Sequence, residues 1–394
     1  MKLFKPEKSI FIKRKEQVIN VKKSTKTILI ILGIIIIILG IMFFIDLNRM
    51  KQGKPVMFMT WGRKYAPPVK INTRLSIVTS LEDEIKSNTA WCGTFNLIWN
   101  DLKNDLAKKD IIFNPQPTVV DNLNKGTFNT SCLSEDSYYK VYGNPTPALK
   151  KQIEKAIKDK FNETSDILND FSWEEGESNN YFLYVMLKKQ FEFPKVFTKL
   201  ENGDFGKYKN VKYFGIDSNT DEAVRNQVEV LYYNSSSNFA IKLKTKQNDE
   251  VIISRGNTEN NFGDIFKGII KKSGKYNGST TLNETDKLKI PNIKFNLKEE
   301  ITEVENKPFT FSNGQEYCID KALQTIQFEL DEKGGKIKSE AGISLKATAV
   351  MPTENPRNFL VDDTFTIFLK EEGRDLPYFA AQISDISQVQ ENIK

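Results

Sequence analysis

Residues Thr325–Val350 read TIQFELDEKGGKIKSEAGISLKATAV. A strand-like run meets a charged turn with two glycines, Gly334 and Gly335, and a second run follows in which small or apolar residues alternate with charged ones. Strand side chains alternate between faces, so a segment with one buried face needs small or apolar residues at every second place. Gly335, Ile337, Ser339, Ala341, Ile343 and Leu345 form that set, against Lys336, Lys338, Glu340, Gly342, Ser344 and Lys346. The pattern suits a loop able to enter a sheet and equally a permanent strand with one wet face. The bulk of Lys336, Ile337 and Lys338 favours the strand, and Ile337, being β-branched, prefers a formed strand to a mobile loop.

Outward from this stretch, the chain has 394 residues, 39% hydrophobic and 11% aromatic, enough for a large core rather than disorder. Its net charge of +6 is uneven. Residues 1–26 hold nine Lys/Arg and two Glu, which leaves 48 basic against 49 acidic residues in the remainder. The basicity therefore belongs to a tail, and no basic body implies a nucleic-acid partner.

Residues 27–45, TILIILGIIIIILGIMFFI, form an uncharged run of 19 between Lys26 and Asp46. At 1.5 Å per residue such a run just spans a bilayer core of about 30 Å. A cleaved signal peptide has a shorter apolar region of ~7–15 residues and small residues behind it, whereas DLNRMKQGK follows here. Positive charge before the span orients the N-terminus to the cytoplasm and places everything after about residue 47 outside.

Histidine is absent from the sequence. That removes Ser-His-Asp and Cys-His nucleophile pairs and imidazole metal ligands, so no enzyme activity and no cofactor are expected. The three cysteines, Cys92, Cys132 and Cys318, are odd in number and so no disulfide framework; they read as small buried hydrophobes, with one bridge and a leftover thiol as the alternative. Asp217–Glu222, DSNTDE, spaces its acids like the start of a calcium loop but has Glu222 and Val228 where the loop needs glycine and glutamate. It reads as a solvated turn, and no metal is expected. Asp362 and Asp363 read as a strand boundary.

Residues 46–70, with Gly53, Pro55, Pro67 and Pro68, form a spacer that carries one short strand around VMFM. Over 89–109, Phe95, Ile98, Trp99, Leu102 and Leu106 recur at helical spacing and predict a core helix. A second helix is predicted over 147–170, with Pro147 near its start and a break near Asn162. From Tyr181 onward the pattern is strands: YFLYVMLKK, NQVEVLYY, FAIKLKT, DEVIISR, IPNIKFNL, QTIQFEL, GISLKATAV, TFTIFLK and YFAAQIS. The result is an α+β class, helices packed on large, mostly antiparallel sheets.

The order of these segments resembles the serpin family. FNLIWNDLKNDLAKKDIIFNPQPT is similar to its first helix with the strand and turn behind it. IEKAIKDKFNETSDILNDFSWEEGESNNYFLYVMLKK resembles the helix that crosses the main sheet and the central strand after it. NQVEVLYYNSSSNFAIKLKT, IPNIKFNLKEE, DKALQTIQFELDEKGG and FLVDDTFTIFLKEEGRDLPYFAAQI follow in the family's order. Departures include Asn114-Pro115 for a Ser-Pro turn and Asp320-Lys321-Ala322 for His-Lys-Ala.

The resemblance implies a serpin-like domain over 71–394, behind the tail (1–26), transmembrane helix (27–45) and spacer (46–70). It implies binding or inhibition of a serine-type protease, with Glu332, Gly334 and Gly335 as hinge and a bait bond between about Leu345 and Arg357, at Lys346 or Met351. The alternative is a non-inhibitory surface scaffold that binds another protein. Partners on this reading are the bilayer and a protease or other surface protein.

Overall fold

The structure is a computed structural model that describes residues 75–174, 180–335, 356–390 and 393, all within a compact unit of Ile71–Lys394. The basic tail, the apolar run 27–45 expected to cross a membrane, the expected spacer with its strand, and Leu345, Lys346 and Met351 lie outside the described residues. No helix among the described residues is long and apolar enough to cross a membrane.

The consecutive apolar residues at the centres of DEVIISR (Val251, Ile252, Ile253) and FTIFLKE (Ile367, Phe368, Leu369) call for burial on both faces. They form β10 (Asp249–Arg255) and β18 (Phe365–Glu371), inside a seven-stranded sheet. Its other members are β1 (Ser76–Val78), β2 (Thr89–Cys92), β8 (Val228–Ser235), β9 (Asn238–Lys244) and β19 (Phe379–Ile383). The order across it is β1-β2-β19-β18-β10-β9-β8, antiparallel except for the β1–β2 pair.

A four-stranded sheet runs β17 (Asn358–Leu360), β11 (Lys287–Pro291), β7 (Tyr208–Ile216), β6 (Thr198–Phe205). Phe205 meets Phe365 edge to face at 5.9 Å, joining the two sheets through one core.

The remaining strands come in pairs: β3 (Tyr138–Gly143) with β4 (Phe182–Leu187), and β12 (Ile293–Glu300) with β15 (Leu323–Leu330). Smaller pairs are β13 (Pro308–Thr310) with β14 (Glu316–Cys318), and β16 (Gly334–Gly335) with β5 (Phe191–Glu192).

Helix α1 (Thr94–Asp101) continues as a π-helical turn, Leu102–Ala107, and buries Phe95, Trp99 and Leu102 as the spacing required. The predicted helix over 89–109 began too early. Thr89–Cys92 is strand β2, buried at all four positions between β1 and β19, and full burial outweighs the helical period that the segment borrows from its neighbour. Helix α2 spans Thr118–Asn124.

Helix α3 (Pro147–Phe161) starts where Thr146 Oγ1 accepts the Leu149 N–H at 3.2 Å. It stops at Asn162, whose φ of 53° is left-handed. Leu149, Ile153 and Ile157 pack with Phe182 and Tyr184, so α3 lies on the β3–β4 pair. The short α4 (Glu222–Arg225) is N-capped by Asp221. Asp217 accepts the Asn219 N–H at 2.9 Å and Asp221 the Ala223 N–H at 2.9 Å, so the two aspartates of DSNTDE are engaged in a turn and a cap.

Helix α5 (Phe262–Ser273) was not anticipated. Phe262, Ile265, Phe266 and Ile269 make a regular apolar face, but the flanking Asn and Gly residues masked it as a loop. Cys92 and Cys132 are buried free thiols as expected, whereas Cys318 is exposed, because the two-stranded β13–β14 ribbon covers only one face of its strands.

Candidate functional site

The β3–β4 and β12–β15 pairs are not joined to each other, and among the described residues neither β4 nor β15 has a strand on its second side. Between them lies a cavity of about 530 Å³. Its floor is α1 (Phe95, Ile98, Trp99), and its walls are β4 on one side and Leu323–Thr325 of β15 on the other. An unpaired strand edge is a row of N–H and C=O groups that seek a partner. Two such edges facing one cavity make a slot for a strand.

Each wall is fastened to the body separately. Lys189, just after β4, places its Nζ 2.9 Å from Asp249 and 2.7 Å from Glu371, and both acids are buried. Burial pushes the Glu371 carboxyl up, but Lys189 and the hydroxyls of Ser137 and Ser134 outweigh it and hold its pKa below the usual range. Lys140 of β3 pairs with the buried Asp101 of α1. On the other side, Gln324 of β15 donates to Cys92 O at 3.0 Å and Thr94 Oγ1 at 2.9 Å. Glu299 of β12 accepts the Ile77 N–H at 2.7 Å, and burial raises its pKa.

A strap after α3, Ser165–Phe171, covers part of the cavity. Gln327 Nε2 donates to Asp166 at 2.8 Å and Lys298 Nζ pairs with Asp170 at 2.6 Å, so the strap is tied to the β12–β15 side while α3 rides on the other. Burial and the nearby Glu163 raise the Asp166 pKa against the lowering effect of Lys298.

Glu332, Gly334 and Gly335, the residues expected as a hinge, lie at one end of the slot. β15 ends in a tight turn closed by Asp331 and Gly334, and Gly334–Gly335 then pair antiparallel with Glu192–Phe191. Phe193 N donates to Lys333 O and Phe197 N to Glu332 O, each at 2.9 Å. The Glu332 carboxylate is buried 3.2 Å from Lys199.

Arg357, expected at the far end of an exposed bait stretch, is instead buried. Its guanidinium contacts Asp286 at 2.7 Å, Ser279 O at 2.7 Å and Thr281 O at 2.6 Å, and Asp286 is 0% exposed. A charge so held cannot be offered to a partner, so Arg357 is an anchor, and any bait bond lies before it. Glu332, Gly334, Gly335 and Arg357 thus bracket residues 336–355 with fixed points at both ends. Sequence reasoning missed Lys189, Gln324 and the edge of β4. The signal for Lys189 was a lysine directly after an apolar strand, which is too common to single out.

A scan of protein-family models finds no match, and no curated protein matches. Among solved structures, a tumour-suppressing serpin is similar at 13% identity and TM-score 0.47, over 76% of this chain and 93% of its own. The thermophilic serpin tengpin in its native state is similar at 13% and 0.45, over 77% and 90%. A thyroxine-binding globulin complexed with thyroxine is similar at 11% and 0.42, over 76% and 93%. These are distant likenesses, and the reading below rests on the slot and its bracketed segment.

Proposed function

We propose that this is a membrane-anchored, externally displayed serpin-like protein that binds or inhibits a protease through residues 336–355, with Glu332, Gly334 and Gly335 as hinge. The observation that carries the reading is the pairing of Gly334 with Glu192 and Gly335 with Phe191 at the mouth of the slot. Continued at that register, Ser339, Ala341 and Ile343 would lie opposite Leu187, Val185 and Leu183 of β4.

The turn closed by Asp331 and Gly334 fixes a second register, against β15. It would set the same three residues opposite Ile326, Gln324 and Ala322. The two registers are compatible. Leu187 and Val185 pack with the main core and Leu183 with the cluster around Trp99, while Ile326 and Gln324 are buried. Residues directly opposite in a pair share a face, so on this reading the small or apolar set of 336–345 would lie on the inside. Gly342, without a side chain, falls on the outside opposite Tyr184, which α3 covers.

The bait bond is then Lys346 or Met351, between the inserted stretch and the Arg357 anchor. Incubation of the full-length chain with serine and cysteine proteases, followed by a denaturing gel, tests the reading. A covalent complex is expected, with the cut at one of those residues. Cleavage without a complex by every protease tried would overturn inhibition. The second reading, a non-inhibitory scaffold that binds another surface protein, is favoured by the bulk of Lys336, Ile337 and Lys338 at the hinge.

A further inference from the structure

We infer that Lys189 and Asp249 close an intramolecular amide bond, a covalent cross-link that ties the end of β4 to β10, with Glu371 as the proton carrier. Asp249 and Glu371 stand directly opposite each other in the β10–β18 pair, so their carboxylates share a face. Lys189 reaches between them from two residues beyond β4, its Nζ 2.9 Å from Asp249 and 2.7 Å from Glu371. The Lys189, Asp249 and Glu371 side chains are 15%, 2% and 7% exposed. Lys242 also bridges two acids, but in a wetter place, with Glu229 36% exposed. Ions taken out of water lose hydration that their mutual attraction recovers only in part. Condensing Lys189 with Asp249 replaces two buried charges by a neutral amide. A nucleophile held in contact with the carboxyl group it attacks has also surrendered its freedom of approach, a large share of the barrier to joining two groups.

The surroundings distinguish the two acids. Glu371 accepts from Ser134 N at 2.8 Å, Ser134 Oγ at 2.9 Å and Ser137 Oγ at 2.9 Å, donors that hold it as a carboxylate, a good base and a poor acyl group. Asp249 is met instead by the Tyr378 hydroxyl at 3.1 Å. Burial and the adjoining Asp249 carboxylate push the Tyr378 pKa well above its usual range, so Tyr378 stays a donor, aimed at the oxygen on which charge develops. In the reaction a proton passes from the Lys189 ammonium to Asp249, leaving an amine and a carboxylic acid. The amine attacks Cγ of Asp249 and forms the Nζ–Cγ bond. Glu371 takes a proton from Nζ and hands it to the departing hydroxyl, the Cγ–O bond breaks, and one water leaves. Glu371 ends as it began, and the remaining amide N–H replaces the ammonium as its donor. The bond fastens β4 whether or not residues 336–345 enter the slot.

The full-length chain, purified in detergent and unfolded under reducing conditions, is weighed intact by mass spectrometry and then digested. A mass one water below that of the sequence is expected, together with a branched fragment that joins Lys189 to Asp249. Lys189→Arg keeps the ion pairs but lacks the amine, and it should show its full mass and no branched fragment. Glu371→Gln should slow closure by about 10²–10⁴-fold, the usual worth of a placed proton carrier, and leave most chains open soon after synthesis. A natural chain at its full mass, or a water lost without the Lys189–Asp249 fragment, overturns the inference even if a variant fails to fold. Closure in Glu371→Gln as fast as in the natural chain removes the proton carrier and overturns the mechanism as well.

Discussion

Gly334 lies directly opposite Glu192 in an antiparallel pair, with a φ of 118° that only glycine adopts without strain. A Cβ at this position would stand 2.5 Å from Phe191 O and 2.8 Å from Glu192 Cα. Both obstacles are backbone and cannot step aside. Gly334→Ala should therefore destabilise the fold by about 1–3 kcal/mol, measured by urea denaturation. A loss below ~0.5 kcal/mol would mean that the hinge is not docked against β5.

The Lys189 cluster makes stability depend on acid. The folded Glu371 carboxyl has a lowered pKa because Lys189 and two serine hydroxyls outweigh its burial. A carboxylate held low contributes stability that is fully present above its unfolded pKa of about 4.3 and is lost as pH falls through the folded value. The natural chain should lose stability below about pH 4.3, and Glu371→Gln should flatten that limb. Denaturation midpoints measured across this range decide it, and identical slopes would remove Glu371 from the account.

Trp99 is 2% exposed and Phe95 4%, on the floor beneath the slot. Trp99→Ala should cost about 3–5 kcal/mol, the usual range for deleting a packed aromatic from a core. A loss under ~1 kcal/mol would show that the floor collapses into the cavity rather than holding it open.

The reasons these residues were legible, and others not, are physical. Phe95, Trp99 and Leu102 announced a buried face because helical spacing is a local signal. The halt of α3 at Asn162 is equally local, since asparagine tolerates the left-handed backbone it adopts. Most strands of the seven-stranded sheet were readable for the same reason, whereas β6 and β7, whose alternation is interrupted by charged residues, asparagine and glycine, were not, and IPNIKFNL read as one strand covers parts of β11 and β12. What no local pattern carries is pairing. That β4 and β15 stand unjoined depends on fastenings far apart in sequence, such as Lys189 to Glu371 and Gln324 to Cys92. Arg357 was placed at the end of the bait stretch by the resemblance alone, and no local pattern shows Asp286, 71 residues away, against it.

The proposed membrane orientation rests on the nine Lys/Arg of residues 1–26 ahead of the apolar run 27–45. Single cysteines at Gln52 and at Ile10 test it in intact cells with an impermeant thiol reagent. Labelling at Gln52 and none at Ile10 is expected, and the reverse would overturn the external placement and every partner inferred from it. Neutralising Lys22, Lys23 and Lys26, the charges nearest the span, should weaken the bias.

The register proposed for residues 336–345 can be captured by oxidation. Continued from Gly334 opposite Glu192, it sets Glu340 opposite Met186, on the outer face of the slot. Directly opposed residues have Cα atoms about 4.5–5.5 Å apart, inside the span a disulfide accepts. In a Cys318→Ser background, Glu340→Cys with Met186→Cys should cross-link under mild oxidant. Glu340→Cys with Val185→Cys should not, because a one-residue slip points the two side chains to opposite faces. If residues 336–345 enter only after the bait bond is cut, the cross-link should follow cleavage at Lys346 or Met351 and the melting temperature should rise. Burial of Ile337 and Ile343 drives that rise, at up to about 1.5–3 kcal/mol for each fully buried side chain. If the strand is already in place, the cross-link should form in the uncut chain and cutting should leave the melting temperature level or lower, since it removes only a chain constraint. Cross-linking of the Val185 pair instead would refute the register, and cross-linking of neither pair, cut or uncut, would refute occupation of the slot by this segment.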